Sequence, residues 1–426
     1  MLSLSLSPSH IHPHIHTHRH SKKFVTIVKL FTVAVIVGVI HILFTNYLFM
    51  IMRQNTISDP PSFLNLNACT HYSFDEYLST SPSRYVLPRA AFFDSRPRGR
   101  HKNATVILAS IHRSLIGRHR IKACIVNQQE IRSIKVQPLI ANKWIHKIHP
   151  ECSYNNTMIF CFDVPQHIRN HSKVELIFKD PDRENFVSIE TEHSLYIPQR
   201  KRRRKFPYNR SSTVLACATV FESPPYFLQW LHFQKSIGVD MVYLNAQESF
   251  VNSSVFNDSF LQESIRNGFV TVKVWKDYLG DKVFYHNQAM YYNNCLYRYQ
   301  GVYEFVMMFD SDDFFFSRLR PAPVREVLRY LFTEDVGSIE LEWRRYYDPY
   351  RGSFNHTDIE QFVDISPGIP ENNIKSIHRL SATIEIRVHA VVEMLDGYTI
   401  ERADYRIAHV AHIKNPTMGV SHLSKE

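Results

Sequence analysis

The chain has 426 residues, of which 44% are hydrophobic and 21% are charged. This length and apolar share exclude a chain too polar to form a core, and they suit two or three globular domains. The formal net charge of +10 does not identify a partner, because much of the excess lies in an N-terminal tail and in one run, Arg200–Lys205.

The first predicted element is a membrane anchor. The segment Phe31–Met52 has no formally charged side chain, and at about 1.5 Å per helical residue it can cross a hydrocarbon core of roughly 30 Å. Basic residues cluster before it and only Arg53 follows closely, which predicts a cytosolic tail at 1–30 and a single-pass type II protein. A cleaved signal peptide is the alternative, but the apolar segment is long for one and no small-residue cleavage site follows.

Two features of the remaining chain agree with a lumenal address in the Golgi or another secretory-pathway membrane. Asn-x-Ser/Thr glycosylation acceptors lie at Asn103, Asn155, Asn170, Asn209, Asn252, Asn257 and Asn355. All six cysteines also follow the anchor, on the side where disulfides persist. Cys152 and Cys161 flank a short hairpin-like segment, which favours them as a disulfide pair.

A β-rich module is predicted after a stem at residues 53–84. Between residues 85 and 198, β-prone segments such as Ala104–Ser110 alternate with polar turns, as in a small antiparallel module. A basic linker, residues 199–212, follows. We interpret its Arg200–Arg203 run either as a solvated connection or as the cut site of a basic-specific secretory protease, because a lumenal location excludes a nucleic-acid patch.

The rest of the chain, residues 213–426, has the pattern of an α/β domain. Thr213–Val220 is a buried-strand candidate, Pro225–Ile237 has the apolar spacing of a helix, and Asp240–Asn245 and Phe269–Trp275 are strand-like again. This alternation predicts a sheet with helices on its faces.

Three aspartates, Asp310, Asp312 and Asp313, follow the next predicted strand, Val302–Phe309. In open α/β sheets ligands collect at the carboxyl ends of strands, and carboxylates crowded there repel one another unless a cation neutralises them. All-oxygen ligation suits Mn²⁺ or Mg²⁺ bridging a diphosphate. An acidic turn that caps the next segment is the structural alternative. An EF-hand is excluded because Phe315 stands where its glycine would be.

Five stretches of this region together resemble glycosyltransferase family 92, formerly a domain of unknown function. They are Leu215–Asn245, His286–Gly301, FVMMFDSDDFFF, VHAVVEMLDGY (Val388–Tyr398) and RIAHVAH (Arg406–His412). The resemblance implies a GT-A-like nucleotide-sugar-binding fold. It also implies an inverting, metal-dependent transfer of a sugar, galactose from UDP-galactose, to a glycan or glycoprotein acceptor. A catalytically inactive lumenal or cell-surface glycan-binding protein that retains the fold is the alternative.

The resemblance implies a metal site as well. Asp310 and Asp312 match the family's Asp-x-Asp; both are expected at the metal, with Asp312 the better candidate for direct contact and Asp310 for the ribose or a metal-bound water. His409 matches a histidine that completes the metal site, and His412 is close enough to leave the choice open.

Further polar residues are candidates for binding and catalysis. Gln288, Asn294 and Lys375 match family positions and are expected to contact nucleotide or sugar. Glu340 and Glu342 end another strand-like run, and either is a candidate for the carboxylate that takes the proton of the acceptor hydroxyl.

Two positions depart from the family's pattern. Asp313 stands where a glutamate is usual, and Ala411 stands where a basic residue is expected. These departures keep the inactive alternative open.

Overall fold

A computed structural model describes residues 86–112, 121–139, 154–164, 173–179, 184–192, 213–220, 226–275, 287–319, 321–347, 363 and 368–414. All of them belong to one compact unit, which runs from Asn67 to Glu426. The predicted cytosolic tail, anchor, stem and basic linker lie outside the described residues. No helix in the described ranges is long and apolar enough to cross a membrane.

The predicted β-rich module forms two antiparallel sheets within the described ranges. In spatial order, the first contains β1 (Val86–Asp94), β2 (Ala104–His112), β6 (Tyr154–Phe162) and β5 (Ile134–Pro138). The second contains β4 (Gln129–Ile131), β3 (Ile121–Val126), β7 (Lys173–Lys179) and β8 (Glu184–Glu190). Apolar side chains of both sheets, among them Ile107 and Phe178, share one core. The module is therefore a sandwich.

A mixed sheet is the centre of residues 213–414. Its strands, in spatial order, are β11 (Val270–Trp275), β10 (Met241–Gln247), β9 (Val214–Val220), β12 (Phe305–Met308), β15 (Ile369–Arg379), β14 (Val336–Tyr347), β19 (Ala408–Lys414) and β13 (Asp313–Ser317), and β18 (Thr399–Arg402) pairs with β14. The first four are parallel, which confirms the predicted alternation of strands and helices in that half. Around β15 the pairing becomes antiparallel. The part of the domain after β12 consists mainly of strands, so the domain is richer in β structure than predicted.

Helices cover both faces of this sheet. One face packs against α1 (Phe227–Ser236), α2 (Glu248–Val251), α3 (Ser259–Arg266) and α5 (Val324–Leu331). The other face packs against α4 (Gln288–Arg298) and the hairpin formed by β16 (Thr383–Ile386) and β17 (Val391–Met394). Strand alternation explains the division: Val214 and Ala216 belong to the first core, and Leu215 and Cys217 to the second.

The module and the mixed sheet share the second core. Val106 and Leu108 of β2 pack there with Met290 of α4, while their neighbour Ile107 faces the other sheet of the module. Buried polar contacts strengthen this boundary, because Arg96 pairs with Asp94 and donates to the carbonyl oxygens of Leu380 and Thr383 at 3.0 and 2.6 Å. The module is thus packed as part of the same unit.

The predicted Cys152–Cys161 disulfide is wrong. Cys161 on β6 pairs instead with Cys124 on β3, so the bond joins the two sheets of the module across 37 residues of sequence. A second disulfide joins Cys217 on β9 to Cys295 on α4. Both pairs are made by packing between elements distant in sequence, whereas the prediction relied on proximity along the chain.

The structure separates the glycosylation acceptors by exposure. Asn103 and Asn155 are buried at 6% and 4% exposure, while Asn252 and Asn257 are exposed. The remaining acceptors, Asn170, Asn209 and Asn355, lie outside the described residues. Support for a lumenal address from these motifs is therefore weaker than their number suggests.

Glu385 on β16 gives this fold a pH-dependent stability. It is fully buried, and both carboxylate oxygens are without a hydrogen-bond partner among the described residues. Burial, opposed by Arg387, raises the pKa of Glu385 from 4.5 to about 7. Because the folded state holds this proton more tightly than the unfolded state, the contribution of Glu385 is most favourable below pH 4.5 and is lost as pH rises through about 7.

We therefore expect Glu385→Gln to raise the free energy of unfolding at pH 8 by roughly 3 kcal/mol, and to leave it nearly unchanged at pH 4.5. Urea unfolding at several pH values measures this difference. Glu334→Gln, at an exposed position, is the matched control and should show no pH-dependent gain. Equal pH profiles for the two variants would contradict the prediction.

Candidate active site

The three predicted aspartates lie where the chain leaves β12 and enters β13. The N–H of Asp313 donates to the carbonyl oxygen of Asp310 at 3.0 Å, and the N–H of Asp310 donates to the Asp313 carboxylate at 3.1 Å. These bonds close a tight turn that holds Asp310, Asp312 and Asp313 at the carboxyl end of a parallel strand, the edge at which ligands bind in such sheets.

Asp310 is held by three donors from two other elements. Gln288, the first residue of α4, donates to Oδ1, and the Tyr292 hydroxyl donates to the same oxygen at 3.0 Å. Nζ of Lys375, on β15, lies 2.6 Å from Oδ2. Two of the residues predicted to bind nucleotide or sugar, Gln288 and Lys375, are thus brought to the Asp-x-Asp.

Asp313 is the buried anchor of the site. Its side chain has no exposed surface, and its carboxylate accepts from Nζ of Lys375 at 2.7 Å, Nε1 of Trp343 at 2.7 Å and Nδ1 of His412 at 2.9 Å. Burial alone would raise the pKa of Asp313, but Lys375 and His412 outweigh burial and hold that pKa well below its usual range. Asp313 is therefore ionised at neutral pH.

Lys375 links the first and third aspartates. The residue is fully buried, and burial alone would lower its pKa, but Asp310 and Asp313 outweigh burial and raise it. The ammonium of Lys375 therefore forms ion pairs with Asp310 and Asp313, and it forms none with Asp312.

Asp312 is the most accessible of the three carboxylates, with its side chain 33% exposed. Its Oδ2 lies 3.6 Å from Nδ1 of His412, too far for a hydrogen bond. Burial and the neighbouring carboxylates raise the pKa of Asp312, against the opposing effect of His412. Asp312 is thus the carboxylate whose oxygens remain available to a cation.

The donor set around Asp312 fits a divalent cation. Ligand atoms of Asp312, Asp313 and His412 lie within 4.8 Å of one another, and carboxylate oxygens are ligands that suit Mn²⁺. Nε2 of His412 is buried and has no hydrogen-bond partner among the described residues, while Nδ1 contacts Asp313. That combination resembles metal-binding histidines, whose second nitrogen is oriented by a carboxylate.

The structure places His409 away from this cluster. His409 pairs with Phe316 and His412 with Asp313 along β13 and β19, and because the histidines are three residues apart their side chains project to opposite faces. Nε2 of His409 lies 3.2 Å from the Tyr346 hydroxyl. Of the two histidines that the sequence left open, His412 is the one beside the aspartates.

Glu340 and Glu342 share the face of His409. In register, Glu342 pairs with His409 and Leu341 pairs with Lys375, so alternation directs both glutamates away from the face that carries Lys375. Glu342 forms an ion pair with Arg344. Neither glutamate is brought to the aspartates, and a base role for either stays a prediction without geometric support.

Asn294 also lies apart from the aspartates. It is fully buried on α4, and its Oδ1 accepts from the Tyr243 hydroxyl at 3.1 Å. These contacts give it a role in joining α4 to β10, and a contact with nucleotide or sugar stays a prediction.

Three residues that complete the site were not predicted from the sequence. Tyr292 donates to Asp310, Trp343 donates to Asp313, and the ring centroid of His389 lies 6.1 Å from that of Trp343. Burial and Lys375 lower the pKa of His389 to about 4, so its ring is neutral at neutral pH. Tyr292 and His389 belong to two of the five stretches that carry the family resemblance, which was the available signal.

These features place the chain among α/β proteins that bind a ligand at the carboxyl end of a parallel strand. In this chain that position, after β12, carries acidic side chains suited to a cation. The sequence model of glycosyltransferase family 92 matches residues 212–426, half of the chain, and the chain belongs to this family. The family assigns it glycosyltransferase activity, which in turn implies a nucleotide-sugar donor and a glycan acceptor. No curated protein matches the chain.

Proposed function

We propose that the protein is a single-pass type II glycosyltransferase of the Golgi or another secretory-pathway membrane. It transfers galactose from UDP-galactose to a glycan or glycoprotein, with inversion and with Mn²⁺ or Mg²⁺. Family membership supports the reaction class. The observation that carries the proposal is the position of Asp310 and Asp312 at the end of β12, with Lys375 on the first and His412 beside the second.

Each side chain of the site has a proposed role in binding the cation or the nucleotide sugar. Asp312 and His412 would hold the cation, with Asp313 orienting the imidazole through its Nδ1. When bound there, the cation would neutralise the negative charge that develops on the departing diphosphate. Asp310, fixed by Gln288 and by Lys375, is positioned to accept from the ribose or from a cation-bound water.

The two departures from the family pattern are accommodated in the fold. Asp313 has a partner for both oxygens, supplied by Lys375, Trp343 and His412. Ala411 is fully buried and lies opposite Phe314 in the β13–β19 pair. Neither substitution leaves an unpaired charge, so both are compatible with the folded site that the proposal requires.

A donor panel tests the proposed function. The full-length chain in detergent is incubated with a series of nucleotide sugars and Mn²⁺, and release of the nucleotide is measured with and without glycan acceptors. We expect UDP-galactose to be turned over faster than the other donors, with loss of turnover on chelation and recovery when Mn²⁺ is restored. Faster turnover of another donor would overturn the galactose assignment. Absence of turnover, with glycan binding unchanged in Asp312→Ala, would favour the inactive alternative.

A further inference from the structure

His389 is placed at the site by the turn of the β16–β17 hairpin. The N–H of Arg387 donates to the carbonyl oxygen of Ala390 at 2.8 Å, which closes the turn around His389. Oγ of Ser376, next to Lys375 on β15, donates to the His389 carbonyl at 2.9 Å. These contacts fix the backbone of His389 beside the lysine that neutralises Asp310.

The hairpin itself is held from two sides. Asn293 of α4 bonds both backbone groups of Ile386, with distances of 2.7 and 3.2 Å. On the other side, Nζ of Lys135 in the module lies 2.6 Å from the Glu393 carboxylate. A side chain on a turn anchored in this way is held in one position before a ligand arrives, as binding residues need to be.

The His389 ring has a polar atom that lacks a protein partner. Its Nδ1 is buried and has no hydrogen-bond partner among the described residues. The ring centroid lies 6.1 Å from that of Trp343, and Lys375, Asp310, Asp313 and the backbone carbonyl of Ile374 all influence the pKa of the ring. A buried ring nitrogen without a partner is unfavourable, so a ligand that supplies one gains the hydrogen bond.

The surroundings of His389 select a hydroxyl group as that partner. A neutral imidazole offers one donor and one acceptor, and a hydroxyl can pair with either nitrogen whichever tautomer is present. The neighbouring Trp343, which is partly exposed, adds an aromatic surface of the kind that packs on sugar rings. A phosphate is less suited to this position, because the ring carries no charge at neutral pH.

We propose that His389 is a substrate-binding residue that hydrogen-bonds a sugar hydroxyl, either of the donor or of the acceptor. This inference rests on the proposed glycosyltransferase function. The proton stays on its original atom in this role, and no bond is formed or broken at His389.

Two substitutions at position 389 test the proposal in the full-length protein. His389→Phe keeps an aromatic ring beside Trp343 and removes the nitrogen; we expect it to lower kcat/KM for transfer by about 10- to 100-fold. His389→Asn places an amide oxygen and nitrogen near Nδ1, so it should recover turnover to within about fivefold of the wild type. The matched control is His232→Phe. His232 lies in α1 and stacks on Phe260 of α3, and its replacement should leave kcat/KM unchanged.

Two readouts identify the source of the hydroxyl. If it belongs to the donor, His389→Phe lowers donor hydrolysis without acceptor as much as it lowers transfer. If it belongs to the acceptor, donor hydrolysis is unchanged and KM for the acceptor rises. A deoxy sugar that lacks the contacted hydroxyl should then be used equally well by the wild type and by His389→Phe, a non-additivity that a purely structural role would not produce.

The proposal is overturned if the wild type turns over substrate and His389→Phe has the same rates of donor hydrolysis and transfer and the same KM values for donor and acceptor. An equally large loss in His389→Asn and His389→Phe, with additive losses on every deoxy sugar, would also overturn it and indicate a structural role. Failure of the wild type to turn over any donor is a different result, because it contradicts the proposed function itself.

Discussion

Replacing Lys375 by methionine is expected to lower the free energy of unfolding by about 3–5 kcal/mol, because it removes one partner of a buried ion pair and leaves the other uncompensated. Lys375 and Asp313 have no exposed side-chain surface, and Lys375 is paired with both Asp313 and Asp310. Methionine keeps much of the length of the side chain, so the loss of stability measures the effect of removing the ammonium charge. Denaturant unfolding at pH 7 measures it.

The pH dependence of this loss follows from the pKa of Asp313. In the wild type that pKa is lowered, so the contribution of Asp313 is present above the unfolded value of 3.8 and is lost as pH falls below it. Without Lys375 the buried carboxyl becomes easier to protonate, because burial opposes its charge. The gap in stability between wild type and Lys375→Met should therefore narrow as pH falls from 7 towards 4.

A second substitution and a control make the result specific. Lys375→Met combined with Asp313→Asn should recover part of the lost stability, because one uncompensated charge is gone. Lys273→Met removes a partly exposed pair with Glu192 and should cost about 1 kcal/mol or less. Equal losses of unfolding free energy from Lys375→Met and Lys273→Met would show that the buried ion pairs of Lys375 stabilise the fold no more than a partly exposed pair does.

Local patterns were sufficient to predict the Asp-x-Asp, whereas its partners Gln288, Lys375 and His412 were named only through the family resemblance. A short apolar run followed by acids places Asp310 and Asp312 at the end of a strand, and this information lies within a few residues. Lys375 and His412 are 65 and 99 residues away from the aspartates that they contact. Their selection depends on strand order and register, which composition and spacing do not specify.

The choice between His409 and His412 illustrates that limit. Both histidines lie on one strand, and only the pairing of Asp313 with His412 decides which of them faces the acids. A shift of register by one residue would exchange the two faces. The same reasoning applies to Glu340 and Glu342. They share a face because they are two residues apart on one strand, but the direction of that face relative to Lys375 depends on the register of β14 with β15.

The module shows a second limit of prediction from local sequence. Its β segments were recognised from composition, yet the run Ala104–His112 is almost continuously buried, which differs from the alternation of a half-exposed strand. The reason is that β2 packs on the second sheet with one face and on the core shared with α4 with the other. The sequence of β2 alone does not identify this second packing partner.

Asp312→Asn is expected to lower glycosyl transfer by about 100-fold or more, because it removes the carboxylate charge that a divalent cation needs while keeping nearly the same shape. The backbone carbonyl of Asp312, which accepts from the N–H of Ile413 at 3.1 Å, is unaffected, so the turn should persist. Transfer at increasing Mn²⁺ concentration measures the effect, and calorimetry measures Mn²⁺ affinity independently of turnover.

The matched control for this prediction is Asp404→Asn. Asp404 is an aspartate paired with Arg406 at the surface, and it does not belong to the cluster of Asp312, Asp313 and His412. This control should retain wild-type Mn²⁺ affinity and transfer, because the pair that it breaks is solvent-exposed. If Asp312→Asn also retained both, the cation would have to bind elsewhere and Asp312 would be a residue of the turn alone. If it lost transfer but kept Mn²⁺ affinity, Asp312 would act on the substrate directly, and the remaining carboxylates would have to account for cation binding.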